Sequence, residues 1–199
     1  MWPFIELIIT FLVAFGFNLI PFFGPSNLLI ASTAAISLVN PDPATLVSIA
    51  TVIALAAALA KGVYYVVTFF VSKHLSEKNQ RRLDAEALKV KRWAFLLLYL
   101  AAATPIPDEP VVIPLGLMKY NPVKFFSAYF LGKITITVAG AFLGGWIESN
   151  FSSVLSQEAM IALSIGLTVA VTVIMFKVDV GKWMDKIFRR LPFNKKSAQ

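Results

Sequence analysis

Proline-broken apolar stretches constrain the fold of this 199-residue chain more than any other sequence feature. Some stretches have about the 20 residues that a helix needs to cross ~30 Å of hydrocarbon. Others, at 27–39 and 93–104, would rise only about 20 Å as helices and cannot cross. Short apolar segments next to clusters of proline are typical of re-entrant hairpins, which turn back near the middle of the membrane.

The pattern therefore predicts an all-α integral membrane protein in which re-entrant helical hairpins alternate with long transmembrane helices. The length of the first apolar stretch, residues 4–20, allows two interpretations: it crosses the membrane, or it forms the first arm of a hairpin. The predicted order is a hairpin at about 4–39, a transmembrane helix at about 44–71, a loop at 72–92, a hairpin at about 93–118, a transmembrane helix at about 122–148, a C-terminal transmembrane helix at 159–177 and a tail at 178–199.

Composition favours the same class of protein. The chain is 58% hydrophobic and only 15% charged, with a mean hydropathy of +0.75, whereas soluble domains carry about 25% charged residues. It is also basic, with 18 Lys and Arg against 11 Asp and Glu. Nucleic-acid binding would need a basic stripe on a soluble scaffold, so no nucleic-acid partner is predicted. The absence of cysteine excludes disulfides and thiolate metal sites.

The basic residues separate onto one face of this layout. If each hairpin returns to the face from which it enters, 16 of the 18 Lys and Arg share one face. The other face carries Glu6, Asp42, Glu148 and Glu158. Lys and Arg concentrate in cytoplasmic loops, so the sequence predicts a multi-pass cell-membrane protein with a cytoplasmic central loop and C terminus. The basic amphipathic tail at 178–199 is expected to lie on the anionic leaflet.

Two lysines and two acids remain where hydrocarbon is expected. Lys61 and Lys133 lie near the middle of long apolar spans, and Asp108 and Glu109 lie at the predicted apex of the second hairpin. Ionisable groups in hydrocarbon cost several kcal/mol unless they are paired or hydrated. All four are therefore candidate substrate-binding or coupling residues. A structural ion pair among them is an alternative interpretation, and Asp108 is also placed to cap the helix after Pro107.

The first hairpin has neutral residues at the corresponding place. Ser26 and Asn27 are either helix caps or part of a pocket for phosphate or carboxylate, towards which the helix N-termini of both hairpins point. Thr104 is expected to hydrogen-bond backbone groups left free by the prolines. The single histidine, His74, cannot build a metal site alone. No nucleophile–base pair is visible either, so neither a cofactor nor enzymatic activity is predicted.

A weak internal repeat relates the two hairpins. Residues 25–30 parallel residues 107–112, and an Asn-Pro pair follows each of them, at 40–41 and 121–122. The first hairpin would open outward and the second inward, which gives an inverted repeat of the kind that places a transporter's binding site at the midplane.

Two segments resemble the DedA superfamily, also called the VTT-domain or SNARE-associated Golgi protein family. They are IPFFGPSNLLIAS and TPIPDEPVVIPLGLMKYNPVKFFSAYFLGK, within a resemblance that covers about 20–148. The resemblance implies two facing re-entrant hairpins in a membrane core at 1–148. It also implies movement of lipids or polyprenyl-phosphate carriers across the bilayer. Bacterial members are linked to undecaprenyl-phosphate recycling and proton-motive force, and eukaryotic relatives behave as phospholipid scramblases.

The chain departs from the bacterial pattern at the family's coupling residues. Asn27 stands where many members have Glu, and Lys61 stands where an acidic residue is expected. Thr104 and Pro110 take the places of an Arg pair. These departures predict a divergent branch in which the acidic role has moved to the second hairpin.

The predicted function is a transporter, flippase or scramblase of a lipid phosphate, plausibly a polyprenyl phosphate, with membrane lipids as partners. In this hypothesis Lys61 and Lys133 attract the phosphate, while Asp108 or Glu109 gates it or carries a proton. Two alternatives stay open, an ion-coupled secondary transporter of a small solute and a non-transporting membrane scaffold. The sequence also leaves open whether the chain forms a homo-oligomer.

Overall fold

The computed structural model describes residues 4–22 and 24–177, and within these ranges the protein is helical without strands. The predicted all-α class is therefore confirmed for the described part of the chain. The predicted amphipathic tail at 178–199 lies outside the described residues. The helices are α1 (Phe4–Asn18), α2 (Asn27–Ile36), α3 (Pro43–Ser72), α4 (Glu77–Val90), α5 (Ala94–Ala102), α6 (Glu109–Leu117), α7 (Pro122–Phe151) and α8 (Gln157–Lys177).

Among the described residues, α3, α7 and the part of α8 up to Met175 are long and apolar enough to cross a membrane. α3 and α7 begin with the same local structure, a capping side chain followed by proline in the first turn. Asp42 accepts the N–H of Thr45 at 2.9 Å, and Asn121 accepts the N–H of Lys124 at 3.0 Å. The three predicted long apolar helices are thus confirmed.

Four other apolar helices are too short to cross. α1 has 15 residues, α2 has 10, and α5 and α6 have 9 each. At about 1.5 Å per residue they rise only about 13 to 23 Å. Each pair is joined by a connection that contains prolines, so neither arm continues into the next as one long helix.

α3 and α7 pack against each other, and each short pair packs against both of them. α1 lies on α3 and α2 on α7, while α5 lies on α7 and α6 on α3. Gly140 and Gly144 permit the α2 contact, because a Cβ atom at either position would collide with the carbonyl oxygens of Leu28 and Ser32. α8 packs on α2 and α7.

Each short pair has its own apolar core. Small and branched residues, such as Ala31, Ile49 and Ile53, join α1 and α2 to α3 and α7. The core around α5 and α6 is aromatic, with Phe125 stacked on the buried Tyr129 at a centroid distance of 6.2 Å. The two cores use different stretches of α7, one before and one after residue 133.

The segment predicted as a loop at 72–92 contains the amphipathic helix α4. Its polarity led to the loop prediction, but polar residues such as Glu, Gln, Lys and Arg are also good helix formers. Glu77 and Arg81 add an exposed ion pair of 3.5 Å at the helical i,i+4 spacing. Helix propensity was therefore a better guide here than polarity.

Candidate functional site

The two lysines and the two acids form one buried group, called here the charge cluster (Lys61, Asp108, Glu109 and Lys133). Each side chain is only 4–5% exposed. Lys61 projects from the middle of α3 and Lys133 from α7, while the acids stand at the N-terminal end of α6. Three helices that are distant in sequence therefore contribute to one site.

Asp108 bridges both lysines, and Glu109 pairs with one of them. Asp108 Oδ2 lies 2.8 Å from Lys133 Nζ, and its Oδ1 lies 3.4 Å from Lys61 Nζ. Lys61 Nζ donates to Glu109 Oε1 at 2.5 Å. Asp108 occupies the N-cap position of α6, but its carboxylate makes no capping hydrogen bond. The capping interpretation is therefore wrong for this side chain.

Two tyrosines surround the lysines, and sequence reasoning missed both. Tyr129 is fully buried one turn before Lys133 and donates its hydroxyl to Asp108 Oδ2 at 2.5 Å. The ring centroid of Tyr129 lies 5.1 Å from Lys133 Nζ, and that of Tyr64 lies 4.7 Å from Lys61 Nζ, which suits cation–π interactions. The available signal was the helical spacing of three or four residues between each tyrosine and its lysine.

The first hairpin approaches the site with neutral amides. Asn18 ends α1 and Asn27 begins α2, and their buried side chains exchange two hydrogen bonds of 2.9 Å. Asn18 also donates to the Ala14 carbonyl at 2.8 Å. Asn27 was a predicted site residue, whereas Asn18 was missed, although a polar residue just before Pro21 was a usable signal.

Ser26 and Thr104 satisfy backbone groups at the helix ends. The Ser26 hydroxyl accepts the N–H of Leu29 at 3.3 Å and caps α2. The Thr104 hydroxyl donates to the Ala101 carbonyl at 2.9 Å. Residue 105 would normally donate to that carbonyl, but it is a proline without an N–H. Thr104 therefore bonds a backbone carbonyl beside the proline, but this carbonyl also accepts the N–H of Thr104 at 3.4 Å and is not left free.

A cavity of about 70 Å³ lies between the two hairpin connections. Its volume corresponds to roughly five water molecules. Its lining includes every site residue predicted from the sequence, which are Ser26, Asn27, Lys61, Thr104, Asp108, Glu109 and Lys133.

The charge cluster is formally balanced, with two lysines against two carboxylates. Among the described residues, Glu109 Oε2 is buried without a hydrogen-bond partner, and Asp108 Oδ1 has only its 3.4 Å contact with Lys61. The N-terminal residues of α2 and α6 also line the cavity, and helix N-termini carry partial positive charge. The arrangement is chemically able to bind an anion at the lysines or to exchange a proton at a carboxylate.

Membrane-length helices around a buried, charge-balanced polar site define a transporter-like membrane protein. The chain belongs to the VTT-domain family, because the family model described as the VTT domain matches residues 6–145, which contain the whole charge cluster. This is the domain of the DedA/SNARE-associated Golgi protein family, which is membrane-associated and transporter- or flippase-like. The predicted family resemblance is confirmed. Comparison with curated proteins and with solved structures gives no match.

Proposed function

We propose that the protein moves lipid phosphates across the membrane as a transporter, flippase or scramblase, with polyprenyl phosphate as the candidate substrate. The observation that carries this proposal is the charge cluster at the cavity between the hairpin connections. Buried ion pairs stabilise a fold poorly, because desolvation offsets their attraction. Three such pairs among four buried residues are therefore better explained by binding and coupling than by stability.

The charge balance predicts how substrate binding works. Asp108 and Glu109 already neutralise both lysines, so a phosphate gains a lysine only when a carboxylate moves away or takes up a proton. Glu109 is the favoured proton acceptor, since one of its oxygens has no hydrogen-bond partner in the described part of the chain and the residue lines the cavity. Protonation of Glu109 would remove the shorter of the two ion pairs of Lys61 and leave only its 3.4 Å contact with Asp108, so that the lysine gains capacity for a phosphate; loss of the substrate would restore the ion pair. Phosphate binding is thereby coupled to proton uptake, without covalent chemistry.

The packing of the short helices supports an inverted repeat. α1 and α5 occupy equivalent places on α3 and α7, and α2 and α6 occupy equivalent places on α7 and α3. We infer that both pairs are re-entrant and enter from opposite faces. With this arrangement, the positive-inside rule favours a cytoplasmic location for 72–92 and for the C terminus. Opening one pair at a time would expose the charge cluster to one face at a time.

Transport in liposomes tests the site assignment. The full chain is reconstituted, and translocation of a labelled polyprenyl phosphate is followed from one leaflet to the other. We expect Glu109→Gln and Lys61→Ala each to slow translocation at least tenfold, because each removes a member of the coupled pair. Glu148→Gln is the matched control, since Glu148 is a buried glutamate of α7 that does not line the cavity. Parental rates in both site variants would refute the proposal.

Single introduced cysteines test the topology, and the chain has no native cysteine to interfere. Cysteines at positions 40 and 121 are labelled with an impermeant reagent from either side of the membrane. The inverted arrangement predicts that position 40 reacts only from outside and position 121 only from the cytoplasm. Labelling of position 40 from the cytoplasm alone would contradict it.

A small-anion transporter is the second candidate, and the cavity size favours it. A volume of about 70 Å³ admits a small anion but not a lipid chain. A lipid would have to keep its chain in the membrane and insert only its phosphate. Uptake of inorganic phosphate or a short-chain carboxylate, with no translocation of the lipid phosphate, would establish this alternative.

A further inference from the structure

A second concave region lies between the C-terminal end of α4, the start of α5 and the α6–α7 connection. It has a volume of about 720 Å³, about tenfold larger than the cavity beside the charge cluster. Lys91, Lys119 and Lys124 line it, and they come from three different segments of the chain. We name this region, defined by the three lysines, the lysine groove.

We propose that the lysine groove binds the head group of an anionic phospholipid from the adjacent leaflet. Charge complementarity is the first argument. The three lysines are exposed, no Asp or Glu lines the groove, and none of the three has an ion pair within the described residues. Among the described residues the groove therefore has an excess of positive charge, unlike the balanced charge cluster.

The floor of the groove is the second argument, because it favours a lipid over a soluble anion. Apolar residues line it together with the lysines, namely Val90 of α4, Ala94 of α5, Leu115 of α6 and Met118 directly after α6. The volume falls within the range of about 300–1,000 Å³ that is usual for small-molecule sites. A head group with the first part of its acyl chains matches this combination of basic rim and apolar floor.

The position of the groove in the fold is the third argument. The membrane-length helix α7 begins at Pro122, which lines the groove, so the groove lies where hydrocarbon gives way to head groups. The Tyr65 hydroxyl of α3 donates to the Tyr120 carbonyl and ties the α6–α7 connection to the core. Lys119 has φ 51°, which is uncommon for a residue other than glycine, and its N–H bonds the Gly116 carbonyl at 3.0 Å. The connection therefore presents its lysine in a defined conformation.

The chain's own C-terminal segment is a poor occupant on grounds of charge. Residues 178–199 contain more basic than acidic residues, so the groove would repel them. Anionic phospholipids surround the protein in the membrane, and each lysine near an anionic surface contributes roughly fivefold to binding. Three lysines together predict a preference for anionic over zwitterionic lipid on the order of 100-fold.

Quenching of Trp93 fluorescence tests the proposal, since Trp93 directly precedes Ala94 of the groove floor. The full chain in detergent is titrated with brominated phosphatidylglycerol or brominated phosphatidylcholine. We expect quenching at lower concentrations of phosphatidylglycerol. The other tryptophans are first replaced by Phe in a common background, at Trp2, Trp146 and Trp183.

Matched lysine variants separate the groove from general surface charge. Replacing the three groove lysines by Gln should remove the preference for phosphatidylglycerol, and replacing them by Arg should retain it. The control removes three exposed basic residues that do not line the groove and should keep the preference. Helix content by circular dichroism is compared for all variants. The groove variant is K91Q/K119Q/K124Q, and the control is K73Q/K78Q/R81Q.

Several outcomes would overturn the proposal. If the groove variant and the control variant lost the preference for phosphatidylglycerol equally, the effect would be a non-specific one of surface charge. Inorganic phosphate or an acidic peptide that displaces the lipid at comparable concentrations would show a site for soluble anions or for protein. Glu109→Gln should leave the quenching unchanged, because the proposal does not depend on the translocation site.

Discussion

The two short helix pairs both pack on α3 and α7 but bring different chemistry to the cavity. The first pair closes on two neutral amides, Asn18 and Asn27, which satisfy each other. The second brings two carboxylates that need lysines from α3 and α7. A neutral amide pair keeps the same hydrogen bonds at any ordinary pH, whereas the charge cluster contains carboxylates and lysines that are able to exchange protons or bind anions. We infer that the first pair is mainly structural and that the second responds to ligand.

Lys61→Met tests whether the second pair depends on its charges, and it has the largest expected effect on stability. The substitution leaves Glu109 buried without its cationic partner. Removing one member of a buried ion pair costs about 3–5 kcal/mol, so the free energy of unfolding should fall by about that amount. Chemical denaturation in detergent, followed by circular dichroism, measures it.

The double variant Lys61→Met/Glu109→Leu is the informative control for this prediction. It removes both charges, and replacing a buried ion pair by apolar residues is often neutral or stabilising. We therefore expect it to recover most of the lost stability while remaining inactive in transport. A double variant as unstable as the single one would show that Lys61 contributes through packing.

Gly144→Ala and Gly132→Ala compare how tightly the two pairs pack on α7. A Cβ atom at Gly144 would collide with Ser32 of α2, and one at Gly132 with the Tyr99 carbonyl oxygen of α5. Overpacking of this kind costs about 1–3 kcal/mol, and we expect similar losses from the two variants in the same denaturation assay. Gly16→Ala is the control, because a Cβ there meets open space and should not destabilise α1. Strongly unequal losses would contradict the equivalence of the two pairs.

Asn27→Leu should destabilise the first pair by a smaller amount. The substitution leaves the buried Asn18 amide short of one partner, and an unsatisfied buried polar group costs about 1–3 kcal/mol. Neither amide titrates, so the loss should be the same at pH 5 and pH 8 when unfolding is measured at both. The double variant Asn18→Leu/Asn27→Leu should recover part of the stability lost in Asn27→Leu. A pH-dependent loss would show that the first pair also responds to charge.

The sequence predicted the charged half of the site better than its neutral half. Lys61 and Lys133 were identifiable because a charge in an apolar span is rare and costly. Tyr129 and Asn18 were not singled out, since an aromatic residue in a membrane helix and an amide beside a proline have many ordinary explanations. Which acid pairs with which lysine depends on packing between residues 48 positions apart, such as Lys61 and Glu109. Such pairings follow from helix packing and leave no local pattern.

Helix boundaries show the same division between local and distant causes. The starts of α3 and α7 agree with those predicted at about 44 and 122, because each follows a capping residue and a proline, Asp42-Pro43 and Asn121-Pro122, which act locally. The helix α4 was not predicted, since its residues are polar and the apolar pattern of a membrane span does not apply to it.

The N-caps of α3 and α7, Asp42 and Asn121, also differ in charge between the two halves. Their substitution has the smallest expected effect on stability. Each caps a membrane-length helix, but only Asp42 titrates. Its side-chain hydrogen bond with Thr45 lowers its pKa below the ordinary value of 3.8. The stabilisation from a carboxyl whose pKa is lowered on folding is present above the unfolded pKa and is lost as the pH falls through the folded pKa.

Between pH 5 and pH 3, Asp42→Asn should therefore flatten the pH dependence of the unfolding midpoint slightly. Asn121→Ser keeps a neutral cap and should leave that dependence unchanged. Identical pH profiles for Asp42→Asn and the parent would show that the Asp42 charge adds nothing to the cap.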